Sequence, residues 1–178
     1  MRKLLRGLAT AALGLVIVAA PVAAAPLAPK SGSTIVDIVV ANDGEFDVLQ
    51  AAVVKAGLVG ALSDPDTQYT VFAPTDAAFV ATFRTLLSDP SLTESDVIAF
   101  INAGGVDQAF GNGALANILL FHVTNGRRTS KSVLAAPGYQ MLNGERLTRT
   151  QLLDAGIVAT DIGASNGVIH VIGSVLLP

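Results

Sequence analysis

The 178-residue chain has no cysteine and no tryptophan, a formal net charge of −3, and 14% charged against 51% hydrophobic residues. Disulfides, zinc-thiolate sites, thiol nucleophiles and lipid-modified cysteines are therefore closed to it, and an acidic balance without a basic stripe argues against a general nucleic-acid binder. With aromatics at 5%, the core has to be built from Val, Leu, Ile and Ala, in a chain long enough for one domain.

Met1-Arg-Lys-Leu-Leu-Arg6 is a positive start, residues 8–20 are an apolar run, and small residues fill 21–25. This is the three-part pattern of a secretory signal peptide, here residues 1–24, cleaved before Ala25. An uncleaved anchor is the alternative, since the run reaches the length of a short span. Residues 25–33 read as a linker, and 34–178 as one exported domain with no stable membrane insertion after cleavage. Thr34 is a good N-cap for a helix with Ile35, Ile38 and Val39 on one face. A second helix covers 45–56, with Phe46, Leu49 and Val53 in its buried stripe and Gly57 at its C-cap.

Residues 68–73 form a strand that Pro74 halts. A helix over 77–87 follows, capped by Thr75 or Asp76; capping is preferred to an exposed ligand contact for Asp76. The next helix, over 93–103, opens on Thr93 and Asp96 in capping-box order. The Gly-rich stretch 105–113 reads as a loop or insertion, without a phosphate-loop pattern. A short helix over 114–119 flows into a strand over 120–124 that carries Phe121 and His122. After the Asn125-Gly126 turn comes a basic cluster, Arg127, Arg128 and Lys131. Residues 139–142 and 145–148 flank Asn143-Gly144 as a hairpin, and 150–155 are loop or one helical turn. Residues 156–162 pair with the final strand after Asn166-Gly167, a dipeptide suited to φ > 0. Apolar residues fall on both parities of 168–172, which places this last strand centrally, between layers. Helices first and strands later, without βαβ alternation, give an α+β fold with a mostly antiparallel sheet.

Three blocks, in this order, resemble the fasciclin domain family. They are Thr70-Val-Phe-Ala-Pro-Thr-Asp-Ala-Ala-Phe79, Leu119-Leu-Phe-His-Val-Thr-Asn-Gly126, and Asn166-Gly-Val-Ile-His-Val-Ile172 with Val175-Leu-Leu-Pro178. The resemblance covers 34–178. It implies a compact wedge-shaped β-sandwich under a layer of N-terminal helices, and a non-catalytic, extracellular adhesion or matrix-interaction module. In animal members the family's Tyr-His motif and an Asp-Ile pair before the final Asn-Gly contact integrins. Phe121 stands in place of that tyrosine, His122 is kept, and Asp161-Ile162 matches the pair. The resemblance thus implies Phe121, His122, Asp161 and Ile162 as binding residues, with Thr75, Asp76 and His170 as parts of the structural motif.

Side-chain chemistry points the same way. His122 and His170 are the only histidines, each within an apolar stretch, and read as buried neutral imidazoles bonded to backbone or to a nearby Thr or Asp. No close ligand spacing accompanies them, so neither a metal nor another cofactor is expected. No Gly-x-Ser-x-Gly elbow is present. Arg127, Arg128 and Lys131 are either a solvated loop or a basic rim for an anionic partner. The expected partner is a cell-surface or matrix protein, a glycan or a lipid headgroup. A small apolar-ligand carrier with a pocket between helices and sheet, and a hydrolase, stand as alternatives.

Overall fold

The computed structural model describes residues 32–41 and 44–178. The signal peptide expected over 1–24 and most of the linker lie outside these residues. Three helices open the chain: α1 (Ile35–Ala41), α2 (Asp47–Lys55) and α3 (Val59–Leu62). Strand β1 (Tyr69–Pro74) leads into α4 (Asp76–Leu86), α5 (Glu94–Asn102), α6 (Gly105–Phe110) and α7 (Ala114–Leu120). Then come β2 (Val123–Asn125), α8 (Ser130–Ala135), β3 (Gly138–Gln140), β4 (Arg146–Thr148), α9 (Arg149–Asp154), β5 (Ile157–Ala164) and β6 (Gly167–Ile172). The caps read from the sequence are in place. Thr34 and Asp37 bond reciprocally at the start of α1, and Thr93 and Asp96 form a full capping box on α5. The fold is α+β, as expected.

The main sheet has the order β2-β1-β6-β5, and β3-β4 form a separate two-stranded sheet. Only the β1–β6 pairing is parallel among the described strands. β6 therefore sits in the middle, and all six of its residues are buried. Its parity explains why. Ile169 and Val171, with Val71 and Ala73 of β1, face the helical layer; Phe72 and Ile172 face a second cluster with Phe121, Val133, Tyr139, Leu147 and Leu152. A sheet covered on both faces has no wet parity, so alternation disappears from its sequence.

Four local expectations are corrected. Residues 105–110, expected as loop, form α6: Gly105 is a glycine because a Cβ there would lie 2.4 Å from the Phe100 ring. Close packing, not a turn, put glycine into this helix and hid its periodicity. Residues 130–135 form α8, where only a basic loop was expected. The strand expected from 120 begins at Val123, because the N–H groups of Phe121 and His122 still bond back to α7 carbonyls. Gly167 is not a positive-φ residue. Its Cβ would lie 2.2 Å from the Tyr69 carbonyl oxygen, so its role is to let β1 and β6 approach.

Asn166, beside it, is fully buried. Its Oδ1 accepts from Ile35 N–H at 2.9 Å, and its Nδ2 donates to the Leu62 and Asp64 carbonyls at 2.7 and 3.1 Å. One side chain thus ties the start of α1 and the end of α3 to the sheet. Leaving such buried groups unmatched costs about 1–3 kcal/mol.

Candidate functional site

The loop between β2 and α8 is held from inside. Thr70, wholly buried on β1, donates its hydroxyl to the Gly126 carbonyl at 2.7 Å and accepts from Arg128 N–H at 2.9 Å. His170, on the neighbouring strand β6, donates from Nε2 to the Arg128 carbonyl at 3.0 Å. Its Nδ1 accepts from Asp161 N–H at 3.3 Å. Burial first of all pushes the His170 imidazole below its ordinary value, opposed by the Arg128 carbonyl and the Asp161 charge. Phe72 stacks against the ring at 5.8 Å.

Asp161 sits on β5 with φ at +61°. Its Oδ1 accepts from Ser130 N–H at 2.8 Å and its Oδ2 from the Ser130 hydroxyl at 2.5 Å. The carboxylate thereby serves the first N–H of α8 from across the fold. The Ser130 hydroxyl, helped by the Ser130 N–H, holds the Asp161 carboxyl below the usual carboxylate range against partial desolvation. A Ser-His-Asp trio is thus assembled, but in an order that does no nucleophilic chemistry. The serine donates straight to the carboxylate, and both nitrogens of His170 are spent on backbone, so no base faces the hydroxyl.

His122 is held the opposite way. The Ile118 carbonyl can only accept, so Nδ1, 2.8 Å from it, carries the proton, and Nε2 accepts from Leu176 N–H at 2.9 Å. Burial pushes this imidazole down to about 4, the Ile118 carbonyl opposing. Both histidines are buried, as expected, and of the expected partners it is the backbone that holds them.

The residues expected to touch a partner divide by depth. Phe121 and His122 are 1% and 2% exposed, and Ile162 is 7% exposed in the core against Ile169. Their side chains are consumed by packing and by the backbone. Asp161, Arg127 and Lys131 are exposed, and Arg128 is half-buried. Arg127 donates to the Ala164 carbonyl at 3.0 Å, and the Arg128 guanidinium lies 4.9 Å over the Tyr139 ring. Thr70, Ser130 and Tyr139 were not expected as site residues, Ser130 being an ordinary loop serine by its sequence context; a hydroxyl on an inward strand position was the only trace of the first.

At the other end of β1, Thr75 caps α4 by accepting from Ala78 N–H at 3.2 Å. Asp76 is buried and caps a different helix: its oxygens accept from Asp47 and Val48 N–H of α2 at 3.0 and 2.9 Å. Asp47, Asp76 and Glu94 each bring a ligand oxygen within 4.8 Å of the others. Desolvation, then the charges of Asp76 and Asp47, raise the Glu94 carboxyl above its ordinary value. Both Asp76 oxygens accept backbone N–H groups of α2. Between α1–α3 and the sheet, a space of about 40 Å³ is lined by Ile35, Val39, Leu49, Val53 and Leu119.

The family model of the fasciclin domain matches residues 44–178. The chain belongs to the fasciclin domain family. Among the relatives of this fasciclin domain, protein sll1483 of Synechocystis sp. is 36% identical over 157 residues, covering 85% of this chain and 77% of the relative. The transforming growth factor-beta-induced protein ig-h3 of Sus scrofa is 33% identical over 159 residues, 85% of this chain but 20% of that protein. The FAS1 domain pair of the insect cell adhesion molecule fasciclin I superposes with a TM-score of 0.53 at 16% identity, over 82% of this chain and 51% of the pair. The fasciclin domain here thus spans a fifth of ig-h3 and half of the insect pair.

Proposed function

We propose that the chain is a secreted, non-catalytic interaction module that binds a cell-surface, matrix or glycan partner. The binding face is the loop of Arg127 and Arg128, with Lys131 and Asp161 beside it. Phe121, His122 and Ile162 support this face from beneath rather than touching the partner. The observation that carries the reading is the use of the buried polar groups. Thr70 and His170 are spent on fixing a basic loop, and none of their atoms is left for turnover. A fixed loop binds with less ordering cost than a mobile one. The carrier alternative is not favoured, because about 40 Å³ falls well short of the roughly 300 Å³ of small-ligand sites. Among the described residues no helix is long and apolar enough to cross a membrane. The test is retention of the purified protein on cell surfaces, matrix proteins and glycan arrays at low and high salt. Retention that salt weakens and that the double variant Arg127→Ala/Lys131→Ala reduces several-fold is expected. Retention equal to that of a charge-scrambled control would overturn the reading.

A further inference from the structure

Arg128 is the least accounted-for group on this face. Its Nε is buried and meets no acceptor. The Tyr139 ring lies against the guanidinium, but a ring face does not satisfy in-plane N–H groups. Among the described residues no carboxylate pairs with it. A partly desolvated cation without a counter-ion is costly, and here it is also preorganised. Its backbone is clamped on both sides by the buried Thr70 and His170, and its side chain lies on a ring whose own hydroxyl is tied to the Ser132 carbonyl at 2.5 Å.

Arg128 lines a cleft of about 430 Å³ between the end of β2 and the β3–β4 hairpin. That volume is in the range of small-molecule sites. Thr124, Asn125 and Gln140 supply most of the polar wall, and Met141 and Leu142 the apolar part. The geometry points to a carboxylate-binding site for an acidic saccharide: a uronic acid whose carboxylate meets the two terminal nitrogens of the Arg128 guanidinium, the buried Nε lying behind them, and whose hydroxyls meet the Asn125 and Gln140 amides. A planar carboxylate matches the fork two-to-two, which a lysine would not reproduce. A cleft walled by amides suits hydroxyl-rich rings better than an acidic peptide. This inference deepens the interaction-module reading by naming the partner's chemistry.

The test is calorimetric titration of the purified protein with digalacturonic acid, its methyl ester and an acetylated, amidated diglutamate peptide. Saturable binding of the acid is expected, weakened roughly tenfold or more in the ester and in both Arg128→Ala and Arg128→Lys. Arg149→Ala, an exposed cation at the start of α9 outside the cleft, should change it less than threefold. Should the Arg128 variants melt early, the wild-type Arg128 Nε–H resonance decides instead: it shifts on saturation with the diuronate and not with the ester. Undiminished binding by folded Arg128→Ala, a stationary Nε–H resonance, no saturable uptake of the diuronate, or tighter binding of the peptide would each overturn the site. Loss of the site with salt-sensitive retention on surfaces intact would leave the module reading standing. Arg128-dependent diuronate binding with no retention on any surface would sink that reading and keep the site.

Discussion

Two aspartates in this chain act at a distance. Asp76 begins α4 yet satisfies the first two N–H groups of α2, and Asp161 lies on β5 yet accepts from the first N–H and the hydroxyl of Ser130 in α8. In each case the receiving helix lacks a side-chain cap of its own: Phe46 and Thr129 occupy the N-cap positions without such a bond. The carboxylate also lies at the positive end of the helix dipole. Asp76→Ala therefore unpins α2 from α4 and strands two N–H groups. We expect a loss of about 1–3 kcal/mol, which is roughly 2–12 °C in melting temperature for a domain of this size. Asp76→Asn, which keeps one acceptor, should recover part of it. Retention on surfaces should be unaffected once the fold is intact. Unchanged melting with lost retention would move Asp76 from the scaffold to the site.

Among elements, β6 bears the most. It pairs in parallel with β1 along its full length and antiparallel with β5, whose bulges fall between Ile157 and Ile162. The tight entry at Gly167 sets the register, because any Cβ there meets the Tyr69 carbonyl. Gly167→Ala should force the strands apart and cost about 1–3 kcal/mol, measured by urea unfolding. If the β1–β6 entry is not a packing constraint, the midpoint will not move. The same strand carries His170 to the loop, so misregister there would also loosen Arg128. Crosslinks of this kind, from a central strand to a surface loop, let a rigid element position a binding face.

For the whole molecule, acid is the informative perturbation. Both imidazoles are held neutral by burial, so the unfolded chain takes up protons that the fold refuses. The sign follows: stability is full at neutral pH and is lost as pH falls from the ordinary histidine value of 6.5, for His122 until about 4. His122 alone should account for roughly 3 kcal/mol over that window. Protonation puts an Nε2–H against the Leu176 N–H, so exchange of the Leu176 amide should accelerate before global unfolding. Urea unfolding across the window, with amide exchange at Leu176, checks this; a flat profile would mean that His122 is not held neutral.

Period and capping chemistry were enough to place most helices, the closing β5–β6 pairing and the burial of the last strand. These depend on neighbours within a few residues and on hydrophobic pattern, which the chain carries locally. The α6 helix escaped because its glycine answers to the Phe100 ring, and the start of β2 was misplaced because a helix C-terminal turn consumed Phe121 and His122. The partners of Asp76, Asp161, Asn166 and Arg128 lie about 30 to 130 residues away or across a strand pair. Residue types alone named these side chains as polar and available. Only folding, by closing the distances, decided which of them became scaffold and which was left facing the cleft without a partner.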